Sequence, residues 1–210
     1  MLSDRFRSPQ EERERRLFLT VKSDRATLDA GRRALDKGSY AAALTEFLPL
    51  ARKGNATAQY YLAWMSHRGK GLPENYSAAL AWARKAAAQG NADAETLIGL
   101  LYAQGQGVPR DDAEAARWFQ KAALQGNWSG QMKTGMCHMC GLGLPVDCLK
   151  AYMWFDLAVS RSTGHDQMLN RNLRDVFAAM NLKPAEIAEA QRLARAWKPQ
   201  KPARSKPQAA

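Results

Sequence analysis

The sequence predicts an all-α fold made of repeated helical hairpins, and three observations carry that reading. Alanine, leucine, arginine and glutamine are plentiful while runs of valine, isoleucine and threonine are scarce, and straight side chains lose little rotamer freedom in a helix. Three segments align without a gap at a fixed period of 36 residues, starting at Gly54, Gly90 and Gly126; such self-similarity marks an array in which each unit buries its apolar face on the next. Within every period, two amphipathic stretches are parted by a G-x-G-x-P signal. At 210 residues the chain suits one such array or one compact core,.

The register is strict. The Gly-Asn pairs at Gly54, Gly90 and Gly126, the glycines Gly69/Gly105/Gly141 and Gly71/Gly107/Gly143, the prolines Pro73/Pro109/Pro145, the alanines Ala79/Ala115/Ala151 and Ala86/Ala122/Ala158, and the tryptophans Trp82/Trp118/Trp154 are the same in all three copies. The first helix of each unit carries a buried stripe, Ala94, Ile98, Leu101 and Tyr102 in the middle copy,. The G-x-G ends it, because glycine takes the left-handed conformation that closes a helix. Asn75, Asp111 and Asp147 then stand where a short acceptor caps the second helix,. On that helix Ala115, Trp118, Phe119 and Ala122 form the packing side, with small alanines admitting a close neighbour and the Trp filling the space between units.

A fourth copy precedes these. Stepping back one period from Tyr76, Ala79, Ala87 and Gly90 lands on Tyr40, Ala43, Ala51 and Gly54, although Glu46 replaces the Trp and the preceding helix lacks the G-x-G. It reads as an N-terminal capping unit, which one-dimensional arrays need at their ends. The expected organisation is a charged lead-in over 1–23, the capping repeat over 24–53, repeats over 54–89, 90–125 and 126–161, C-terminal capping helices over 162–197, and a basic, disordered tail over 198–210. The last capping helix opens with Pro184 at a first-turn position,.

The middle copy shows the pattern most cleanly: Ala94, Gly99, Tyr102, Gly105, Gly107-Val108-Pro109, Asp111, Ala115, Trp118, Ala122-Ala123 and Gly126. This resembles the Sel-1-like repeat, a relative of the tetratricopeptide repeat with a longer loop between its helices, and the resemblance covers about Leu28 to Arg161. The helix PAEIAEAQRLARAW is similar to the closing helix of bacterial members. The resemblance implies a right-handed α-α superhelix whose concave face binds a protein or peptide, as an adaptor or scaffold. It implies no cofactor and names no partner.

The stretch MCHMCGLGLPVDC, residues 136–148, holds all three cysteines, and alignment to the other copies explains most of it. Cys137 takes the place of Met65 and Leu101, His138 that of Ser66 and Tyr102, and Cys140 that of Arg68 and Gln104. A reactive C-x-x-C sits at a helix N-terminus, whereas Cys137 and Cys140 fall in a last turn, where the helix dipole disfavours a thiolate. Zinc wants four convergent ligands, but His138 adjoins Cys137 and points about 100° away from it on a helix. No metal site is expected. Cys140 and Cys148 flank a turn between antiparallel helices, within reach of a bridge, while the unpaired Cys137 and the lack of a visible leader favour three reduced thiols. Cysteine-rich secreted members of the resembled family bridge one repeat to the next, so a bridge inside one unit departs from that pattern. Both readings stand.

The histidines His67, His138 and His165 lie in separate contexts, no G-x-S-x-G or phosphate loop appears, and Asp111 with Asp112 is explained by capping,. A non-catalytic protein with no small-molecule substrate is expected. First-helix positions off the buried stripe mark the binding face: Tyr61 and Trp64, Leu97 and Leu100, Lys133 and Met136. Aromatic and methionine side chains are what interfaces favour. The competing reading is that Tyr61 and Leu97 only pack the adjacent helix.

The net charge of +11 is uneven, since residues 91–197 carry eleven basic and eleven acidic side chains while the tail KPQKPARSKPQAA has four basic, none acidic, and three prolines. A basic tail offers weak contact with an anionic surface through counterion release, which leaves a second function open: a regulator associated with membrane or nucleic acid through its end segments. No aromatic residue interleaves with those charges,. No apolar run reaches the roughly 20 residues a membrane-spanning helix needs, and no leader is visible, so a cytoplasmic location is expected, while the resembled family, many of whose bacterial members are exported, leaves export open.

Overall fold

A computed structural model describes residues 24–200, which form ten helices and no strand. The helices are α1 (24–36), α2 (Tyr40–Arg52), α3 (Ala56–Arg68), α4 (Tyr76–Ala87), α5 (Ala92–Gln104), α6 (Asp112–Leu124), α7 (Trp128–Cys140), α8 (Cys148–Arg161), α9 (Gly164–Asn181) and α10 (Pro184–Ala196). The lead-in over 1–23 and the tail from 201 onward lie outside the described residues.

Each repeat is closed by its own turn residues. Asn55, Asn91 and Asn127 cap α3, α5 and α7, their side-chain oxygens accepting from the N–H of Ala58, Ala94 and Gly130 at 3.0, 2.8 and 2.8 Å. Asn75, Asp111 and Asp147 cap α4, α6 and α8 in the same way, at 2.8 to 2.9 Å. Between them Gly69, Gly105 and Gly141 adopt φ of 61°, 65° and 70°. The next N–H then donates to the carbonyl five residues back: Lys70 to Met65, Gln106 to Leu101 and Leu142 to Cys137. That is the paired closure of a Schellman end, and it satisfies carbonyls the helix leaves free.

The second glycine of the G-x-G has a different task. A Cβ at Gly107 would stand 2.8 Å from the backbone of Tyr76 at the start of α4, and one at Gly71 2.9 Å from the carbonyl of Tyr40 at the start of α2. Each loop therefore rests directly on the preceding unit, and only a residue without a side chain permits that approach.

From α2 to α9 each helix packs on its chain neighbour and α10 packs back on α8, with α3, α5 and α7 also touching one another in sequence. This quasi-linear contact pattern is that of a solenoid. The invariant alanines are almost fully buried: Ala79, Ala86, Ala122, Ala151 and Ala158 have no exposed surface. Trp82 packs against both the α2–α3 and the α4–α5 cores, Trp118 against the α4–α5 core, and Trp154 against Ala123, so each Trp reaches back to the unit before it. At the C-terminal end α9 and α10 both pack on α8, through a Phe155–Phe177 edge contact at 5.5 Å and a Trp154–Trp197 edge contact at 6.0 Å. The chain continues back along the array, where the Gln200 N–H donates to the Leu124 carbonyl at 2.7 Å.

Candidate partner-binding groove

The first helices of the three repeats form one face, and two adjoining hollows run along it. The first, about 220 Å³, is lined by Tyr60, Trp64, His67 and Arg68 of α3, Asp93, Thr96, Leu97 and Leu100 of α5, and Trp128 and Ser129 of α7. The second, about 650 Å³, shares His67, Arg68 and Leu100 and adds Glu74, Tyr76, Gln104, Gln106 and Lys133. The shared residues make them one groove.

Its floor is polar and held in place. Asn127, which caps α7, donates through Nδ2 to Asp93 at 2.7 Å and accepts from the Thr96 hydroxyl at 3.2 Å. Asp93 is thereby fixed beside a helix N-terminus, where negative charge is favoured. Burial, with Asp93 adding to it, pushes the Tyr60 phenol well above its ordinary range, so Tyr60 is a neutral group at any physiological pH,. His67 shares a 3.0 Å hydrogen bond with Gln106 from the next loop, and its Nδ1 is buried with no partner. Among the described residues neither Arg68 nor Lys133 forms an ion pair. The result is a mostly polar trough into which Tyr60, Trp64, Leu97, Leu100 and Trp128 set apolar side chains, with Asp93 and Glu74 as well as Arg68 and Lys133 along it.

The Sel1 repeat pattern matches three consecutive segments, residues 56–91, 92–127 and 128–162. The chain belongs to the Sel1 repeat family. Solved structures agree. A Sel1 repeat protein from Oxalobacter formigenes superposes with a TM-score of 0.64 at 25% identity, covering 80% of this chain and 69% of that one. The protein c5321, a protective antigen present in uropathogenic Escherichia coli strains and displaying the same Sel1-like fold, gives 0.54 at 26% identity over 83% of this chain. The match spans 45% of that longer protein. The comparison with curated proteins finds no match to the chain.

Sel1 repeats are typically protein-interaction modules and generally non-catalytic scaffolds, and within this array the expected binding residues separate into two groups. Trp64, Leu97, Leu100 and Lys133 line the groove. Leu97 does so while only 4% exposed, so most of its surface packs the core. Tyr61 and Met136 line neither hollow. The Tyr61 ring stacks on Phe47 at 4.5 Å and its hydroxyl accepts from Arg32 Nε at 2.8 Å, while Met136 packs beside Met132 and Phe155. Tyr60, one residue earlier, faces the trough instead. Trp128 also escaped the sequence reading, although a signal existed: it stands where the other Sel1 units have Ala56 and Ala92.

The third repeat's cysteines are free thiols, Cys137 buried, Cys140 exposed and Cys148 half-buried, with no bridge between Cys140 and Cys148. Burial pushes the Cys137 thiol up to about 11, with Asp112 and Cys140 adding to the rise. No group of three or more His, Cys, Asp or Glu side chains among the described residues is arranged to hold a metal, and no helix among them is long and apolar enough to cross a membrane.

Proposed function

We propose that the protein is a non-catalytic adaptor that holds a peptide or protein segment in the groove along α3, α5 and α7. One observation carries this reading: Tyr60, Trp64 and Trp128, on two non-adjacent repeats, converge with Leu97 and Leu100 on a single open hollow. Aromatic side chains around a recess are the anchoring surface interfaces use. Arg68 and Lys133 beside Asp93 and Glu74 give the groove charges of both signs, which suits a segment whose apolar anchor is flanked by polar or charged side chains,. A trough spanning three repeats suits an extended ligand, since each unit contributes one step of the surface.

The test is affinity capture followed by mass spectrometry, then direct titration of the captured segment against the protein and against Trp64→Ala with Leu100→Ala. Loss of binding at unchanged helicity supports the reading. Binding that persists in the double variant places the partner elsewhere.

A further inference from the structure

The outer face of α9 is apolar and uncovered. Met168 is 53% exposed, Leu169 50%, Val176 59% and Met180 78%, and these are four of the six large apolar side chains exposed among the described residues. At 100° per residue they fall within an arc of about 120°. The buried side of the same helix carries Asn170, Phe177 and Ala178 against α8. His165, Leu169, Asn172, Val176 and Ala179 follow one another at alternating steps of four and three along the exposed side, which is the spacing of a helix-pairing seam. The groove on α3, α5 and α7 does not include this surface.

Charge decides what covers it. Basic residues in excess would border an interfacial helix that meets anionic lipid, but α9 carries two Arg and two Asp and is neutral in a chain of net charge +11. Arg171 and Asp175 lie one turn apart along one border of the seam. Arg171 has no ion pair among the described residues, and Asp175 is 55% exposed although it already accepts from Arg174. In an antiparallel pair of identical helices related by a two-fold axis, a border faces the same border of its copy. A two-fold centred near Asn172 and Leu173 then sets Leu169 opposite Val176 of the second copy. The same axis brings Arg171 within one residue, about 1.5 Å along the helix, of the level of Asp175, twice by symmetry.

We infer that α9 is a self-association surface through which two copies of this chain pair antiparallel. At 18 residues the helix is about 27 Å long,, which gives a small contact and therefore a weak, concentration-dependent dimer.

Sedimentation velocity on the full chain, across a range from about 5 to 500 µM, reads this directly. The expected result is a monomer–dimer equilibrium. It is abolished by Val176→Asp with Met180→Glu, substitutions at exposed positions that leave the circular dichroism spectrum unchanged. Arg171→Asp alone and Asp175→Arg alone weaken the dimer at least tenfold, and the two together restore it. A chain that stays monomeric throughout overturns the inference. So does a dimer indifferent to Val176→Asp with Met180→Glu. A double charge swap no tighter than either single one overturns the antiparallel pairing. None of these outcomes depends on the groove.

Discussion

A Cβ added to Gly99 of α5 would lie 2.5 Å from Cε1 of Phe119 on α6. The third repeat repeats the relationship between Gly135 and Phe155 at 2.5 Å, whereas the first has Ala63 and Ala83 at the same two positions, both fully buried. Glycine therefore serves in these helices as the socket for an aromatic ring, at the cost of about 1 kcal/mol in helix propensity. Gly99→Ala restores propensity but forces the ring out of place in a close-packed core, and the second effect wins. The expected outcome is a net loss of about 1–3 kcal/mol in urea unfolding. Combining Gly99→Ala with Phe119→Leu should recover part of it. A stabilised single variant would show that Phe119 repacks freely.

Much of the fold was legible because its punctuation is chemically specific. Gly105 must take a positive φ and Asp111 must offer an oxygen to a free N–H, and few residues do either,. The candidate groove was less legible, because one residue on a helix is 100° of rotation. A helical wheel marks both Tyr60 and Tyr61 as off the main stripe. Only the packing of α3 on its neighbours turns Tyr61 onto Phe47 and leaves Tyr60 facing the trough. The exposed side of α9 was hidden for a related reason. An amphipathic pattern shows that a face is apolar, and Val176 and Met180 show that this one has apolar residues on both sides.

Glu95 is a buried acid in a position its sister repeats fill with Gln59 and Gln131. Those amides donate to the carbonyls of Ala51 and Ala123, at 3.1 and 3.4 Å. Glu95 instead accepts from Gln125 at 2.6 Å and pairs with Lys121 at 3.0 Å. Burial raises its pKa, with Lys121 and Gln125 opposing. A raised carboxyl pKa means that the folded state holds the proton more tightly than the unfolded one. Stability therefore falls as pH climbs above the ordinary value of 4.5 and levels off beyond the folded pKa,. Glu95→Gln should remove that slope and leave stability at pH 7 equal or higher by about 1 kcal/mol. Lys121→Met strands the charge and should cost about 1–3 kcal/mol. Thermal melts of the two variants between pH 4 and 8 check both signs. A Glu95→Gln chain less stable at pH 7 than at pH 4, relative to wild type, contradicts the account.

The three thiols should differ sharply in reactivity. Cys140 is exposed at the end of α7, and Cys137 is buried with its thiol pushed up to about 11. Since only the thiolate attacks, iodoacetamide at pH 8 should modify Cys140 first in the native protein and reach Cys137 only on unfolding. Peptide mapping by mass spectrometry resolves the order. Denaturing, non-reducing titration should count three thiols; a count of one would establish a bridge that these positions do not show.

The groove makes the sharpest functional prediction because its residues differ in what else they do. Trp64, Leu100 and Met136, at one equivalent position of the three repeats, are all half-buried against core side chains, but only Trp64 and Leu100 also line the hollow. Trp64→Ala and Leu100→Ala should each weaken partner binding at least tenfold, about 1.4 kcal/mol. Met136→Ala should cost stability and spare affinity. Lys133→Glu, on the second hollow, should act through charge, so its effect should shrink as salt is raised while that of Trp64→Ala should not,. Isothermal titration at low and high ionic strength separates the two. Equal losses for Trp64→Ala and Met136→Ala would mean that the partner reads the array's rigidity rather than this trough.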